Sequence, residues 1–117
     1  MRKIGWIGAG IMGQPMVIHL LNKGYEVHVY ARHPERVEQA KNAGAILEES
    51  IVSLTSNVDV ICTMVGFPSD VKEVYDVIFS CIDAGKTCID FTTSSPKLAK
   101  ELYTKGKELG VHVLDAP

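Results

Sequence analysis

The sequence has no excess of charge of either sign. Its 117 residues include 12 Lys and Arg against 14 Asp and Glu, which gives a formal net charge of −2 at pH 7. The sequence pI is about 6.0. Proteins that bind nucleic acid or anionic lipid usually offer a basic face, and this balance provides none. We therefore expect neither nucleic acid nor a membrane among the partners.

Long hydrophobic runs are also missing, although 46% of the residues are hydrophobic. No stretch approaches the ~18 apolar residues that a membrane-spanning helix requires. Arg2 and Lys3 precede an apolar stretch in the manner of a secretory signal, but four glycines between positions 5 and 13 and the polar Gln14 interrupt it. No small-residue cleavage site follows. We expect a cytoplasmic protein.

Cysteine and histidine are few and have no metal-type spacing. The three cysteines are an odd number, and Cys62 and Cys88 fall in apolar, strand-like runs, which is typical of buried free thiols in a reducing compartment. The G-x-x-x-x-G-K-[ST] loop of ATP-binding proteins and the G-x-S-x-G nucleophile motif are both absent. We expect no metal site. The four histidines are scattered: His19, His28, His33 and His112.

The most informative stretch that is present is a glycine motif near the start of the chain. The apolar residues 4–7 predict a strand, and Gly8, Gly10 and Gly13 follow in the spacing G-x-G-x-x-G. Residues 11–22 then carry apolar side chains at helical spacing. A strand, a glycine turn and a helix in this order are the context that this motif needs before it indicates function.

This arrangement is typical of a site where the diphosphate of a dinucleotide lies on the free N–H groups of the helix. The first glycine permits the tight turn, the second lets the diphosphate approach the backbone, and the third lets helix and strand pack closely. The residues of the predicted turn are Gly8, Ala9, Gly10, Ile11, Met12 and Gly13.

Strands and helices alternate along the rest of the chain. Apolar or alternating runs predict strands at 25–31, 45–47, 58–65, 87–91 and 111–114. Helical spacing and capping residues predict helices at 34–43, at 50–54, from 69 or 70 to about 78, and at 95–109. The pattern predicts an α/β fold of the Rossmann type. We expect one doubly wound parallel sheet with the strand order 3-2-1-4-5-6, in a single domain that spans residues 1–117.

The end of the second predicted strand bears on which nucleotide binds. Proteins that hold NAD by this motif usually place an acid here to accept the ribose hydroxyls, but this sequence has Ala31, Arg32 and His33. The guanidinium of Arg32 suits a 2′-phosphate, and His33 could add a second donor. The alternative is an ordinary solvated loop arginine. We predict NADP(H) as the preferred cofactor and NAD(H) as the second candidate. Enzymes that bind S-adenosylmethionine through a glycine loop in such a sheet also normally have an acid at the end of the second strand, and its absence here disfavours that ligand.

Two further loops follow predicted strands, at the end of the sheet where ligands bind in this fold. The backbone of Met64, Val65 and Gly66, after the fourth strand, could line the adenosine and ribose; the alternative is an ordinary strand-to-helix loop. Four consecutive hydroxyl residues at 92–95 follow the fifth strand and could bond a nicotinamide ribose or a substrate carboxylate. Ser95 is also suited to cap the next helix.

Three separated motifs resemble one enzyme family. The pattern G-x-G-x-M-G-x-x-M, which starts at Gly8, is similar to the N-terminal signature of the β-hydroxyacid dehydrogenases. Residues 90–96 match the family's second block, D-x-[ST]-T-x-x-P, and residues 115–117 resemble the opening of its D-A-P-V-S-G-G loop. The family includes 3-hydroxyisobutyrate dehydrogenase, tartronate semialdehyde reductase, the glyoxylate and succinic semialdehyde reductases and, more distantly, 6-phosphogluconate dehydrogenase.

The departures from the family pattern concern packing rather than chemistry. Ala9 stands where leucine is commoner, and Val17 where alanine or serine is usual. Residues 31–33 resemble the Asn-Arg-Thr of the family's NADPH-using reductases, which agrees with the predicted cofactor.

The resemblance implies roles for individual residues. The backbone of Ile11 and Met12 would contact the diphosphate, Val65 and Thr93 the nicotinamide half, and Thr92 the substrate. The family's catalytic lysine lies beyond the position of Pro117, on the helix that leads to an all-helical C-terminal domain. The resemblance therefore implies that this chain lacks both the catalytic residue and that domain. Four lysines match no family motif and are expected at the surface: Lys97, Lys100, Lys105 and Lys107.

Two functions remain open. In the first, the chain is the cofactor domain of an oxidoreductase that transfers hydride between NADP(H) and a small β-hydroxyacid or semialdehyde, and alone binds cofactor without efficient turnover. In the second, it is a stand-alone dinucleotide-binding regulatory module. The ending within the D-A-P motif favours the first. The resemblance further implies a homo-oligomer formed mainly through the absent domain, and an apolar patch near the sixth strand of this chain.

Overall fold

Strands and helices alternate along the part of the chain that the structure describes. The computed structural model describes residues 2–8, 13–65, 68–92 and 95–116. The strands are β1 (Lys3–Ile7), β2 (Glu26–Tyr30), β3 (Ile46–Leu47), β4 (Val60–Thr63), β5 (Thr87–Asp90) and β6 (His112–Asp115). The helices are α1 (Gln14–Asn22), α2 (Glu38–Asn42), α3 (Ile51–Asn57), α4 (Pro68–Cys81) and α5 (Pro96–Glu108). A 3-10 turn, Pro34–Val37, immediately precedes α2.

All six strands run parallel in one sheet with the order β3-β2-β1-β4-β5-β6. The predicted fold class and strand order are therefore confirmed. Ile7 at the end of β1 lies opposite Tyr30 of β2 on one side and Thr63 of β4 on the other. The carboxyl ends of these three strands thus surround the point where the strand order reverses, which is where ligands bind in such sheets.

Apolar side chains cover both faces of the sheet, as a parallel sheet requires. On the face of α1 and α2, Trp6 is 1% exposed and stacks on Phe91 with ring centroids 5.4 Å apart. On the opposite face, Leu54 of α3, Tyr75 of α4 and Leu102 of α5 belong to one buried cluster. Burial of each such side chain stabilises the fold by about 1.5–3 kcal/mol, so the two layers supply most of the driving force.

The cysteines are free thiols, as predicted. Cys62 and Cys88 are buried on opposite faces of the sheet, and Cys81 is partly buried at the end of α4. Burial raises the pKa of Cys62 and of Cys88 to about 12. Both thiols therefore stay protonated near neutral pH and pack as small apolar groups rather than reacting.

Two helices differ in extent from the prediction. α1 begins at Gln14 with Gly13 as its N-cap, not at residue 11, and residues 11 and 12 lie outside the described part of the chain. The predicted helix at 50–54 continues to Asn57, and the predicted cap is confirmed because the Ser50 hydroxyl accepts the N–H of Ser53 at 3.0 Å.

Two further predicted elements differ from the structure: the strand at 58–65 is shorter, and the helix at 34–43 is interrupted. β4 ends at Thr63 rather than at residue 65, because the Val65 N–H donates to the Thr92 hydroxyl instead of to a strand. The predicted helix at 34–43 is divided into the 3-10 turn and α2. The division falls at Val37, whose φ of −116° and ψ of 25° lie outside the helical range.

An apolar groove of about 390 Å³ lies between α1 and the neighbouring strands on the α1 face. The groove residues are Ile4, Trp6, Pro15, Met16, His19, Leu20, Val60, Cys62, Ile89 and Phe91.

Leu114 of β6, further along the sheet, is 54% exposed, so an apolar residue is exposed on the strand where the resemblance implied a patch. In the described ranges, no helix has both the length and the apolar character that crossing a membrane would take.

His28 of β2 lies between two carboxylates, away from the carboxyl ends of the strands. Its Nδ1 is 2.6 Å from Glu48 Oε2, and its Nε2 is 2.7 Å from Glu26 Oε2. A carboxylate only accepts, so both contacts are hydrogen bonds only when both ring nitrogens carry protons. Ser53 and Asn57 of α3 also donate to Glu48, at 2.9 and 3.1 Å. The cluster therefore connects β2 to α3.

These contacts lower the pKa of Glu48. Burial by itself raises the pKa of this carboxyl, but hydrogen bonds from His28, Asn57 and Ser53 more than offset burial. The hydrogen bond from His28 likewise lowers the pKa of Glu26. A folded-state pKa below the unfolded value means that ionisation stabilises the fold. This contribution is complete above the ordinary glutamate pKa of 4.5 and is lost as the pH falls through the lowered folded-state value.

Glu48→Gln is expected to lower the free energy of unfolding at neutral pH by about 1.5–3 kcal/mol, because it removes a partly buried charge that accepts several hydrogen bonds. Its stability should also fall less steeply than that of the parent chain as the pH falls below the ordinary glutamate pKa of 4.5, since one carboxyl with a lowered pKa no longer titrates. Urea unfolding followed by the fluorescence of Trp6 across this range measures both effects.

Glu49→Gln is the matched control, because Glu49 is the exposed neighbour of Glu48. Its unfolding free energy should stay within about 0.5 kcal/mol of the parent value at each pH. If Glu48→Gln kept the parent's full acid sensitivity, the pairing of Glu48 with His28 would not contribute to stability in the way described.

Candidate functional site

A cavity of about 360 Å³ lies at the carboxyl ends of β1, β2 and β4. Its size is within the ordinary range for small-molecule sites, and its place at the reversal of strand order is the one that the fold favours for ligands. The lining mixes apolar side chains with a few charged ones. The lining residues are Ile7, Gly8, Tyr30, Ala31, Arg32, His33, Arg36, Val37, Ile51, Met64, Val65, Asp70 and Val74.

Gly8 makes the turn that opens this cavity. It has a φ of +86°, a conformation that costs other residues about 1–2 kcal/mol, and its N–H donates to the Tyr30 carbonyl at 3.2 Å. A β-carbon at this position would overlap the carbonyl oxygen of Met64 and would lie 2.9 Å from Val65 Cγ1. Both the backbone angle and the close approach of β4 therefore require glycine here.

Gly13 is buried and forms the N-cap of α1, with Val17 donating its N–H to the Gly13 carbonyl at 3.1 Å. Because glycine has no side chain, the N-cap residue supplies no polar group to the first N–H groups of the helix. Such a helix start attracts an anion through these N–H groups and the helix dipole. Four of the predicted turn residues lie outside the described part of the chain: Ala9, Gly10, Ile11 and Met12.

The segment after β2, for which contacts to the cofactor were predicted, lines the cavity. Ala31 is half-buried, and Arg32 and His33 are exposed to solvent along the cavity wall. His33 Nδ1 lies 3.7 Å from Glu35 Oε1, a loose contact between two exposed side chains. Basic side chains therefore line the cavity directly after β2, at the position where an acid would favour NAD.

Two charged lining residues were missed by the sequence analysis. Arg36 lies in the 3-10 turn and contributes a second guanidinium to the wall that contains Arg32. The sequence feature that could have identified Arg36 is its position one helical turn after Arg32, in a segment that begins with proline. Asp70, in the first turn of α4, contributes a carboxylate from across the cavity, and only the position of α4 over the β4 end identifies it.

The loops after β4 and β5 are joined by hydrogen bonds. Met64 donates its N–H to Ile7 of β1 at 2.9 Å, and Val65 donates its N–H to Thr92 Oγ1 at 2.7 Å. Met64 and Val65 line the cavity, whereas the hydroxyl oxygen of Thr92 faces the backbone of the β4 loop. Gly66 and Thr93 lie outside the described residues.

Buried polar side chains of β4, α4 and β5 form a hydrogen-bond network next to these two loops. The Asp90 carboxylate accepts the Thr63 hydroxyl at 2.8 Å and the Thr92 N–H at 3.2 Å. The Thr63 hydroxyl also lies 3.1 Å from the Tyr75 hydroxyl. Burial raises the pKa of Tyr75 well above its ordinary value of 10, so this phenol stays protonated and holds structure rather than exchanging protons.

The described residues offer no constellation for catalysis. The four lysines of α5 are exposed, as expected: Lys97, Lys100, Lys105 and Lys107. Across the ranges that the structure describes, no three of the His, Cys, Asp and Glu residues are placed together to hold a metal ion.

Relatives of known sequence are similar to this chain over almost its whole length. Residues 3–117 match the family model for the NAD binding domain of 6-phosphogluconate dehydrogenase. The chain is 44% identical over 119 residues to the uncharacterized oxidoreductase YkwC of Bacillus subtilis, a match that covers 99% of this chain and 41% of that protein. It is 36% identical over 121 residues to 2-hydroxy-3-oxopropionate reductase of Escherichia coli, covering 98% and 40%. The chain thus spans about two fifths of the length of these relatives.

Solved structures agree with the fold. The 3-hydroxyisobutyrate dehydrogenase of Mycobacterium tuberculosis, with L-serine, is 27% identical and superimposes with a TM-score of 0.93 over 100% of this chain and 40% of that chain. An imine reductase of Myxococcus stipitatus in complex with NADP+ is 27% identical, with a TM-score of 0.88 over 97% of this chain and 39% of that chain. A variant of that enzyme in complex with NAD+ is 26% identical, with a TM-score of 0.89 over 98% and 40%.

Gly8→Ala is expected to destabilise the fold strongly, because the added β-carbon meets the backbone of Met64, which cannot move without separating β4 from β1. Gly85→Ala is the matched control, since Gly85 has a similar φ of +93° but nothing within 4 Å of the added carbon. Gly85→Ala should cost about 1–2 kcal/mol, and Gly8→Ala about 1–3 kcal/mol more, in urea unfolding. Equal losses would mean that the close approach to Met64 relaxes freely.

Proposed function

Since this chain belongs to the family of the NAD binding domain of 6-phosphogluconate dehydrogenase, and so to the β-hydroxyacid dehydrogenases, we propose that it is the cofactor domain of such an oxidoreductase and prefers NADP(H). One observation carries the cofactor preference. Arg32 and Arg36 both line the cavity at the carboxyl end of β2, and residues 31–33, directly after that strand, include no acid.

The described residues fit a dinucleotide. The positive φ of Gly8 leaves open space in front of β1 and β4, and the start of α1 at Gly13 offers N–H groups for a diphosphate. The cavity volume of about 360 Å³ accommodates one nucleoside half. When bound, the nicotinamide supplies or accepts the hydride; the residues of this chain bind and orient the cofactor. We assign the diphosphate to the whole turn from Gly8 to Gly13, including the residues 9–12 named above.

The 2′-phosphate of NADP(H) would lie between the two guanidiniums of Arg32 and Arg36. Each guanidinium can donate two parallel hydrogen bonds to phosphate oxygens. The imidazole of His33, in the same segment, can be a third donating side chain. Both arginines are exposed, so their guanidiniums are accessible to a ligand in the cavity.

NAD(H) is the second candidate cofactor because of Asp70. Its carboxylate lines the same cavity from the first turn of α4, and a carboxylate can accept hydrogen bonds from ribose hydroxyls. This position is across the cavity from the end of β2. We therefore rank NAD(H) behind NADP(H).

For the longer protein we propose a small β-hydroxyacid or its semialdehyde as substrate, by analogy with the relatives named as acting on 3-hydroxyisobutyrate and 2-hydroxy-3-oxopropionate. Val65 and Thr93 are the proposed contacts to the nicotinamide half, and Thr92 is the proposed contact to the substrate. A C-terminal helical domain would supply the catalytic lysine, and a homo-oligomer would form mainly through it. Free cysteines support a reducing location, and we propose the cytoplasm.

Calorimetric titration of this chain should show NADPH binding more tightly than NADH. Arg32→Ala and Arg36→Ala are each expected to weaken NADPH binding by roughly tenfold or more, because each removes a charge-assisted bond worth about 1.5–3 kcal/mol. NADH binding should change little. Lys41→Ala is the control: it removes an exposed cation from α2 that does not line the cavity. Equal affinity for the two cofactors, or an unchanged preference in both arginine variants, would refute the phosphate site.

Turnover by the 117-residue chain alone is expected to be absent. Hydride transfer to a small carbonyl compound needs a proton donor and exclusion of water, and the described lining of the cavity contains no lysine. NADPH incubated with the chain and a small β-semialdehyde acid should keep its absorbance. Steady oxidation that follows the folded chain through a gel-filtration column would contradict this expectation.

A further inference from the structure

Gln14, the first residue of α1, joins the glycine turn to the segment that follows β2. Its side chain is 8% exposed, although glutamine is usually a surface residue. Its Nε2 donates to the Arg36 carbonyl at 2.8 Å, and its Oε1 accepts the Ala40 N–H at 3.1 Å. Both partners belong to the segment of the 3-10 turn and α2, so one amide group fixes that segment against the start of α1.

The two partners of Gln14 are the two halves of one helical hydrogen bond. In an uninterrupted α-helix through this segment, the Ala40 N–H would donate to the Arg36 carbonyl four residues earlier. The side-chain amide of Gln14 is inserted between them and satisfies both. Insertion of a side chain into the helical ladder is a known cause of helix breaks, and the break is seen at Val37 between the two partners.

This insertion fixes the backbone of Arg36 on both sides. The Arg36 N–H donates to the His33 carbonyl at 2.9 Å, and the Arg36 carbonyl receives the Gln14 amide. Val37, the next residue, is fully buried in the cluster that also contains Val17 of α1. With its backbone held at three points, Arg36 projects from a defined position on the cavity wall.

We propose that Gln14 is a positioning residue for cofactor selection: it sets the place of Arg36, and with it the 2′-phosphate site, relative to the diphosphate-binding start of α1. This inference rests on the proposed function. Gln14 is uncharged and is not among the cavity-lining residues, so its effect is transmitted through the backbone of Arg36. The N–H groups of α1 that suit the diphosphate belong to the main chain and remain when the side chain changes.

Gln14→Met tests the proposal, because methionine has a similar length and suits a helix but forms neither hydrogen bond. Without the amide, the Ala40 N–H and the Arg36 carbonyl can pair with each other, and the segment can close into a continuous helix that moves Arg36. Calorimetric titrations with NADPH and NADH should show the ratio of affinities reduced roughly fivefold or more, mainly through weaker NADPH binding. NADH serves as the internal reference for the diphosphate site.

Gln14→Glu is the second variant, and it decides the question if Gln14→Met does not fold. It keeps the size of the side chain and the acceptor for Ala40 but has no donor for the Arg36 carbonyl at neutral pH. Gln39→Met is the control, since Gln39 is an exposed glutamine of α2. It should keep the parent ratio, and in a chain that also carries Arg32→Ala and Arg36→Ala, Gln14→Met should reduce the ratio no further.

The outcomes separate the two proposals. If the parent chain prefers NADPH through Arg32, but folded Gln14 variants keep the parent ratio, the positioning role is wrong and the proposed function stands. An equal drop in Gln39→Met, or a further drop in the chain lacking both arginines, would also overturn the positioning role. If the parent chain binds both cofactors equally and Arg32→Ala changes nothing, the NADP(H) preference fails and the role of Gln14 fails with it.

Discussion

The close approach of Gly8 to the Met64 carbonyl is the constraint on which the cavity depends. β1 is the strand at which the two halves of the sheet meet, and Gly8 follows it between the ends of β2 and β4. A residue without a β-carbon lets the backbone at Gly8 lie directly against Met64 at the end of β4. The cavity lies in front of these strand ends, where the fold favours ligands.

The affinity for an anion has a local origin in this molecule. With a net charge of −2 the chain as a whole does not attract phosphate, and charges further away than about 8 Å are largely screened at physiological salt. What remains is the cluster of Arg32, Arg36 and His33 on one wall, opposed by Asp70 on the other. Under the proposed function, this arrangement would direct an anion to the end of β2 and so distinguish a phosphorylated from an unphosphorylated ribose.

The sequence predicted those features that depend on local pattern. The strand order followed from the alternation of elements and the glycine motif, and the place of Arg32 followed from the end of a strand. Contacts between distant segments could not be predicted in this way. The Val65 N–H that shortens β4 bonds to Thr92, 27 residues away, and the apolar rhythm of 58–65 contains no sign of it. Asp70 was missed for the same reason: its place in the cavity depends on how α4 lies across the β4 end, not on its neighbours in the chain.

The division of the helix after β2 shows most clearly why pattern alone falls short. Residues 34–43 have helical spacing, and each local preference favours one continuous helix. The break arises from Gln14, 22 residues before Arg36, because an amide carries a donor and an acceptor and can therefore replace both partners of a peptide hydrogen bond. A carboxylate cannot donate, and a lysine cannot accept. The same side chain thus satisfies two backbone groups of the segment after β2. Under the proposed positioning role, it would link the packing of α1 on α2 to recognition of the ligand.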